Sequence, residues 1–248
     1  MADRLGYRLK LGIVVPSTNT TVQPETDAMR PIGVTNHISR ILIGDMPLAN
    51  DTQFTAMVDA IEPGLTPAID SVMTCQPAHL VMAMSIPTFW GGKAGADALK
   101  ARMQARAGVG VTLGSLACIE ALRCFDGVRR IGVLTPYQPV GDAQVAGFFE
   151  EHGYEVVRVH SLKRPSEVQI AHATEADICA GFKALAEAGA DALVQVGTDL
   201  AAIDLAAEAE RWLGLPAIAI NAATYWSALR HCGIADRIPH SGRLLADF

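Results

Sequence analysis

Short apolar runs alternate with longer, Ala-rich segments along this 248-residue chain. The runs predict β-strands at residues 11–16, 38–43, 79–84, 131–135, 155–159, 192–196 and 217–220. The segments between them have helical spacing and predict helices at residues 51–75, 93–106, 115–125, 139–152, 173–189, 201–213 and 222–232. Strands that are apolar on both faces and separated by helices are typical of a parallel sheet with helices on both sides. The pattern therefore predicts an α/β fold.

An internal repeat indicates that this fold has two halves. Residues 11–17 resemble residues 131–137, and residues 78–85 resemble residues 191–198. Two such copies place the carboxyl ends of equivalent strands face to face, and open α/β sheets bind their ligands at these ends. We therefore expect two pseudo-symmetric parallel-sheet halves around a central cleft. The first half is predicted to comprise residues 1–112 with 226–248, and the second residues 113–225.

Composition and charge exclude several classes of protein. The 26 acidic and 20 basic residues give a formal net charge of −6, and no basic cluster is present, which argues against nucleic-acid or anionic-membrane partners. Half of the residues are hydrophobic, but no stretch reaches the length of about 18 apolar residues that a membrane span needs. The first ten residues lack the apolar core of a signal peptide. We expect a cytoplasmic protein without a membrane partner, and its Ala-rich helices leave a homo-oligomer open.

The same survey gives no sign of a cofactor or a metal. The five cysteines are widely spaced without a CxxC motif, which indicates neither a disulfide framework nor a zinc site. The histidines are scattered, and neither a dinucleotide-binding glycine motif nor a phosphate-binding loop occurs. The motifs therefore argue against a nucleotide cofactor and against a metal.

Polar or glycine-rich residues follow four of the predicted strands. These ends are residues 17–21, 85–92, 135–139 and 197–199, the last joined by Asn221 after the next strand. They offer many neutral hydrogen-bond donors and few charges, which favours a small carboxylate or dicarboxylate as the ligand. Other interpretations remain open: the first end as a simple helix N-cap, and the tyrosine of the third end, Tyr137, as a core aromatic.

These segments resemble a known group of enzymes over nearly the whole chain. The first is similar to the opening motif of maleate cis-trans isomerases, which here comprises residues 12–21 with Pro24 and Glu25. Later segments resemble the second half of those enzymes and of arylmalonate decarboxylase, namely residues 197–204, 213–216, 221–226 and 242–245. Both enzymes belong to the aspartate/glutamate racemase superfamily. The resemblance implies two similar α/β halves around a cleft, no cofactor, and a substrate held through its carboxylates.

The chain departs from this family at the positions that matter most for its chemistry. Racemases and maleate isomerases of this type use two cysteines, one from each half, and arylmalonate decarboxylase keeps only the second. On this sequence the two positions fall on Met84 and Gly197, which neither donate a proton nor attack a carbon. What the resemblance implies is a set of substrate-binding residues: Ser17, Thr18, Asn19, Met84, Ser85, Ile86, Tyr137, Gly197, Thr198 and Asn221.

An acid or base must then come from another side chain. We predict Asp199, Tyr137 and Ser85 as the catalytic residues, with Glu25 and His160 as further titratable candidates. A carboxyl group such as Asp199 acquires a raised pKa in a partly apolar cleft. The alternative for Asp199 is an ordinary helix N-cap.

Three functional hypotheses follow. The first is a cofactor-independent isomerase, decarboxylase or lyase that acts on a small mono- or dicarboxylic acid through an enediolate-like intermediate with a non-cysteine acid/base. The second is a non-catalytic protein that binds or senses a small carboxylate on the same fold. The third is a reaction at another cysteine such as Cys118, against which its apolar helical surroundings argue.

Overall fold

Two four-stranded parallel sheets form the centre of the molecule. The computed structural model describes residues 3–248. The first sheet contains β1 (Leu9–Pro16), β2 (Val34–Ile41), β3 (His79–Met82) and β4 (Gly110–Leu113) in the order β2-β1-β3-β4. The second contains β5 (Arg130–Thr135), β6 (Glu155–Ser161), β7 (Ala192–Gln195) and β8 (Ala217–Ala219) in the order β6-β5-β7-β8. The predicted α/β fold is confirmed.

The sequence repeat corresponds to equivalent strands of the two sheets. β1 and β5 are the second strand of their sheets, and β3 and β7 are the third. Ile13 of β1 pairs with Val81 of β3 in parallel register, and Val133 of β5 pairs with Val194 of β7 in the same way. The identical strand order confirms that the molecule consists of two pseudo-symmetric halves.

Helices cover both sheets. Seven of them correspond to predicted helices: α2 (Asp51–Met73), α4 (Gly92–Ala107), α5 (Gly114–Leu122), α6 (Pro139–Glu151), α8 (Glu175–Glu187), α9 (Ile203–Leu213) and α10 (Ile220–His231). Four short helices lie outside the predicted helical segments: α1 (Val22–Ala28), α3 (Ile86–Phe89), α7 (Glu167–Ile170) and α11 (Arg243–Asp247). Of these, α1 was anticipated only through the N-cap interpretation of the first strand end. Among the helices of residues 3–248, none combines the length and the apolar character required to span a membrane.

Two strands differ from the sequence prediction for local reasons. β4 is missing from the prediction because Gly110 and Thr112 interrupt its apolar residues and because it follows Gly108, which ends α4 in the left-handed conformation. β2 begins at Val34, four residues before its predicted start. It is the edge strand of its sheet and several of its side chains are only half-buried, so apolar character does not mark its beginning.

The apolar residues of the central strands form the core. Leu11, Ile13 and Val14 of β1 are completely buried, as are Val133 and Leu134 of β5. Such strands carry no polar face because helices cover both sides of the sheet. Helix α10 packs against α5 and also against α1 and β3 of the first half. We propose the end of β4 as the boundary between the two halves.

Candidate active site

A small cavity lies where the carboxyl ends of β1, β3, β5 and β7 converge between the two halves. Its volume is about 20 Å³, enough for an ordered water molecule. The structure brings eight predicted site residues to its wall. The first half contributes Asn19, Met84, Ser85 and Ile86, and the second half contributes Tyr137, Gly197, Thr198 and Asp199.

Hydroxyl groups from both halves meet at one side of this cavity. The Ser85 and Tyr137 hydroxyls form a short hydrogen bond with each other, and the backbone N–H of Thr198 donates to Ser85 Oγ at 3.3 Å. Two hydroxyls that share one hydrogen bond use only one of their two protons, so one O–H remains available for a ligand. We call Ser85, Tyr137 and the Thr198 N–H the donor cluster.

Packing holds Tyr137 in place and keeps it neutral. Its ring lies edge-on to Phe54 with the centroids 5.5 Å apart, and its backbone carbonyl accepts a hydrogen bond from Ser161 Oγ at 2.5 Å. Burial raises the pKa of the Tyr137 hydroxyl well above its ordinary value, against the opposing effect of the bond to Ser85. A phenol in this state donates a hydrogen bond and does not act as a base near neutral pH.

Asp199 uses its two carboxyl oxygens differently. Oδ1 accepts the backbone N–H groups of Thr20 at 2.9 Å and Thr21 at 3.2 Å, just before α1 of the other half. Oδ2 is buried and has no hydrogen-bond partner among residues 3–248. Burial raises the pKa of Asp199 to about 6, although the bonds to Thr20 and Thr21 lower it. One oxygen is therefore a helix-capping group, and the other is free for chemistry.

Glu167 is a cavity residue that the sequence analysis missed. It lies at the start of α7, is 6% exposed, and lines the same cavity as Asp199. Burial raises its pKa to about 7, and the charges of Asp199 and Asp45 act in the same direction. No hydrogen bond to its carboxyl group is found within residues 3–248. A lone glutamate in a polar loop carries no sequence signal that would have identified it.

A segment of the first half crosses to the second half and places Glu167 in the cavity. Leu48 donates its backbone N–H to the Pro165 carbonyl at 2.7 Å, and Val168 donates to Asp45 Oδ1 at 3.0 Å. Between these bonds, Pro47 and Ser166 form an isolated antiparallel bridge. We call residues 45–48 the strap, because this segment of the first half holds the start of α7 over the cleft.

Three predicted binding residues, Ser17, Thr18 and Asn221, do not line the cavity. Ser17 Oγ donates to the Ile43 carbonyl and accepts its N–H. Asn221 Nδ2 donates to the Thr198 carbonyl at 2.9 Å and to Glu25 at 2.6 Å. Through these hydrogen bonds, Ser17 and Asn221 support the residues of the cavity wall without lining the cavity themselves.

The remaining acid/base candidates also lie elsewhere. Glu25 accepts the N–H groups of Ala202 and Ile203 at the start of α9. Burial raises its pKa to about 7 against the effect of these bonds and of the bond from Asn221. His160 is half-buried on β6, outside the cavity wall.

Asn19 combines a structural and a free group. Its Oδ1 accepts the N–H groups of Thr21 at 3.1 Å and Val22 at 2.9 Å, which supports the capping interpretation for this end. Its Nδ2 is buried without a hydrogen-bond partner in the part of the chain that the structure describes. Two of the residues that line the cavity, Asn19 and Asp199, therefore each carry a buried polar atom without a partner among residues 3–248.

Gly197 has a backbone conformation that only glycine adopts readily. Its φ is +132°, and a Cβ added there would lie 2.7 Å from Pro136 Cδ. Met84 lines the same cavity from the first half. The position that the resemblance assigns to a cysteine is thus shaped for a residue without a side chain.

Replacement of Gly197 by alanine should lower the free energy of unfolding by about 1–3 kcal/mol, because the strained φ and the contact with Pro136 both oppose a side chain. Urea denaturation measures this change. Gly147→Ala is the control, because Gly147 lies inside α6 with open space at its Cβ position. The control should be unchanged or slightly more stable. Equal stability of Gly197→Ala and the wild type would contradict this account of the position.

The structure offers no cysteine and no metal-ligand cluster at this site. Cys118 is completely buried in α5, where burial raises the pKa of its thiol, and none of the five cysteines lines the cavity. Within residues 3–248, no three His, Cys, Asp or Glu side chains are grouped as metal ligands.

Comparison with known proteins gives the family. The family model for arylmalonate decarboxylase matches residues 11–245. The chain belongs to the arylmalonate decarboxylase family. It is 24% identical to a maleate isomerase of Pseudomonas putida over 96% of this chain and 97% of that protein. It is 30% identical to an arylmalonate decarboxylase of Bordetella bronchiseptica over 63% of this chain and 66% of that protein.

Solved structures of the family share the fold. A Nocardia farcinica maleate cis-trans isomerase, a cysteine-to-serine mutant with a covalently bound succinylcysteine intermediate, superposes with a TM-score of 0.87. The two chains are 22% identical, and the match covers 97% of this chain and 99% of the other. A liganded mutant of arylmalonate decarboxylase gives a TM-score of 0.80 at 21% identity, covering 97% of this chain and all of that one.

Proposed function

We propose that this protein is a cofactor-independent enzyme, an isomerase, decarboxylase or lyase, that acts on a small carboxylic acid through an enediolate-like intermediate. One observation carries the proposal: a single cavity is lined both by the donor cluster and by Asp199, a buried carboxyl with a free oxygen. Membership of a family that includes isomerases and decarboxylases supports the same conclusion.

The donor cluster binds the carboxylate of the substrate, and the cleft must open to admit it because the cavity of about 20 Å³ has room only for a water molecule. As the intermediate forms, negative charge accumulates on the two carboxylate oxygens, and fixed donors in a water-poor cavity stabilise this charge more than they stabilise the ground state. Each such donor contributes about 3–4 kcal/mol to the lowering of the barrier. The neutral state of Tyr137 makes it suitable for this role.

Asp199 moves the proton. For isomerisation, its free oxygen takes the proton from the carbon next to the bound carboxylate, and the C–H electron pair passes into the enediolate. Protonated Asp199 then returns this proton to a different carbon of the conjugated intermediate, which moves the double bond; return to the original carbon would only regenerate the substrate. For decarboxylation, the C–C bond to one carboxylate breaks and CO₂ leaves. Protonated Asp199 then supplies a proton to the carbon, and solvent reprotonates Asp199. A carboxyl with a pKa near the working pH suits both steps.

A cysteine-free route distinguishes this protein from its relative with a succinylcysteine intermediate. The cavity wall has Met84 and Gly197, and neither side chain forms a covalent intermediate or transfers a proton. The same observation favours a second candidate function, a protein that binds or senses a small carboxylate without turning it over.

Turnover should survive alkylation of the protein's thiols. The test incubates the iodoacetamide-treated and untreated protein with a panel of maleate, phenylmalonate and related small acids and follows the products by NMR. We expect equal rates, because the cavity contains no cysteine. The Nocardia farcinica maleate isomerase, treated in parallel, is the control for effective alkylation. Binding without turnover of any acid would favour the sensing function, and loss of turnover on alkylation would contradict the cysteine-free route.

A further inference from the structure

We infer that the substrate carries a single carboxylate and, at its other end, an uncharged group that both donates and accepts hydrogen bonds, such as an amide or a hydroxyl. Glu167 is the residue that sets this specificity. The inference rests on the proposed function, because it takes the donor cluster as the carboxylate-binding side. It specifies what the other lining residues of the cavity recognise.

The charges around the cavity disfavour a second carboxylate. Among the described residues that line it, the carboxyl groups are Glu167 and Asp199, and no lysine, arginine or histidine is present. The nearby charge of Asp45 raises the pKa of Glu167, whereas His172 lowers that of Asp199 without lining the cavity. A dianion would bring a further negative charge against this carboxyl pair, where little water is present to screen the repulsion.

The free polar atoms point to the same class of ligand. The Glu167 carboxyl is a buried acceptor and Asn19 Nδ2 a buried donor, and neither has a hydrogen-bond partner within residues 3–248. Leaving such groups unsatisfied is unfavourable, so a ligand that supplies both a donor and an acceptor binds better than one that supplies only acceptors. An amide or hydroxyl meets both requirements, whereas an ionised carboxylate meets only one.

Glu167 is placed for recognition and has no evident structural role. The strap positions its backbone through the bonds of Leu48 and Val168, but its carboxyl group receives no hydrogen bond from the described part of the chain. Replacement of this side chain by glutamine therefore removes a charge and breaks no hydrogen bond of the described residues.

This substrate class also narrows the reaction. Decarboxylation to an enediolate needs two carboxylates on one carbon, since one leaves as CO₂ and the other becomes the enediolate. A substrate with one carboxylate has none to lose by this route. The inference therefore favours proton transfer next to the bound carboxylate, which is the isomerase form of the proposed function.

Calorimetric titration at pH 8 with maleate and its half-amide maleamate tests the inference, because the two probes have nearly the same shape and differ in charge. The wild type should bind maleamate about tenfold or more tightly than maleate. Glu167→Gln should reduce this preference about tenfold by strengthening the binding of maleate. Glu167→Asp, which keeps the charge, should preserve the preference. Glu175→Gln is the matched control, because Glu175 is an exposed acid at the start of α8.

Tyr137→Phe separates failure of the inference from failure of the proposed function. It should weaken the binding of both probes equally, because it acts on the carboxylate that they share. Two results would overturn the inference: equal affinity of the wild type for maleate and maleamate, or an unchanged ratio of the two affinities in Glu167→Gln. Weaker binding of both probes by Tyr137→Phe would then still support the donor cluster as the carboxylate-binding group. Binding of neither probe would overturn both.

Discussion

Replacement of Asp199 by asparagine should lower the rate of turnover by about 10²- to 10⁴-fold, the range typical for loss of a general acid or base. Asparagine keeps an oxygen in the place of Oδ1, which accepts the N–H groups of Thr20 and Thr21. It replaces the free Oδ2 by an amide nitrogen that does not take up a proton. The variant therefore loses the acid/base group and retains the cap.

Two measurements separate a catalytic from a structural effect of this substitution. The rate is followed by NMR with an acid that the wild type converts, and stability is followed by thermal unfolding. We expect a large change in rate and little change in melting temperature. Asp204→Asn is the control, since Asp204 is an exposed acid in the first turn of α9. A rate close to that of the wild type would exclude Asp199 as the acid/base.

Replacement of Glu167 by glutamine should make the protein more stable at pH 8, by about 3–3.5 kcal/mol at 1.36 kcal/mol per pKa unit. The pKa of Glu167 is raised from 4.5 to about 7 in the folded state. A carboxyl with a raised pKa contributes stability that is present below pH 4.5 and is lost as the pH rises through 7. Glutamine does not ionise, so the variant avoids this loss.

The pH dependence of the difference is the decisive feature. Urea denaturation at pH 4.5 and pH 8 should show nearly equal stabilities for the two proteins at the lower pH and a more stable variant at the higher pH. Glu175→Gln, which removes an exposed charge, should show no such dependence. A Glu167→Gln variant that is less stable at pH 8 would mean that the side chain supports the fold. A destabilising group retained in a cavity is typical of a functional site.

Much of the candidate site was predictable because strand ends have local sequence signals. Ser85 and Thr198 follow short apolar runs, and the repeat places those runs at equivalent positions of two sheets. From this symmetry alone, the two residues were expected to lie across a cleft from each other. The structure places the Thr198 N–H within 3.3 Å of Ser85 Oγ.

Side-chain direction was not predictable in the same way. Ser17 and Asn19 are two residues apart in one polar run, yet Asn19 reaches the cavity while Ser17 bonds to Ile43. The difference depends on the path of the chain between β1 and α1 and on the segment after β2 that lies beside it. No pattern within the run itself contains that information.

The sequence by itself determined the α/β class, the two-half architecture and the donor groups at the strand ends, because hydrophobic periodicity and strand-end polarity are properties of neighbouring residues. Only the tertiary structure decided which carboxyl groups meet. Glu167 enters the cavity because the strap crosses from the first half and bonds to the start of α7. Asp199 is divided between a cap and a free oxygen because α1 of the other half begins beside it. Contacts between residues more than 100 positions apart leave no local pattern in the sequence, and these contacts set the pKa values of Asp199 and Glu167.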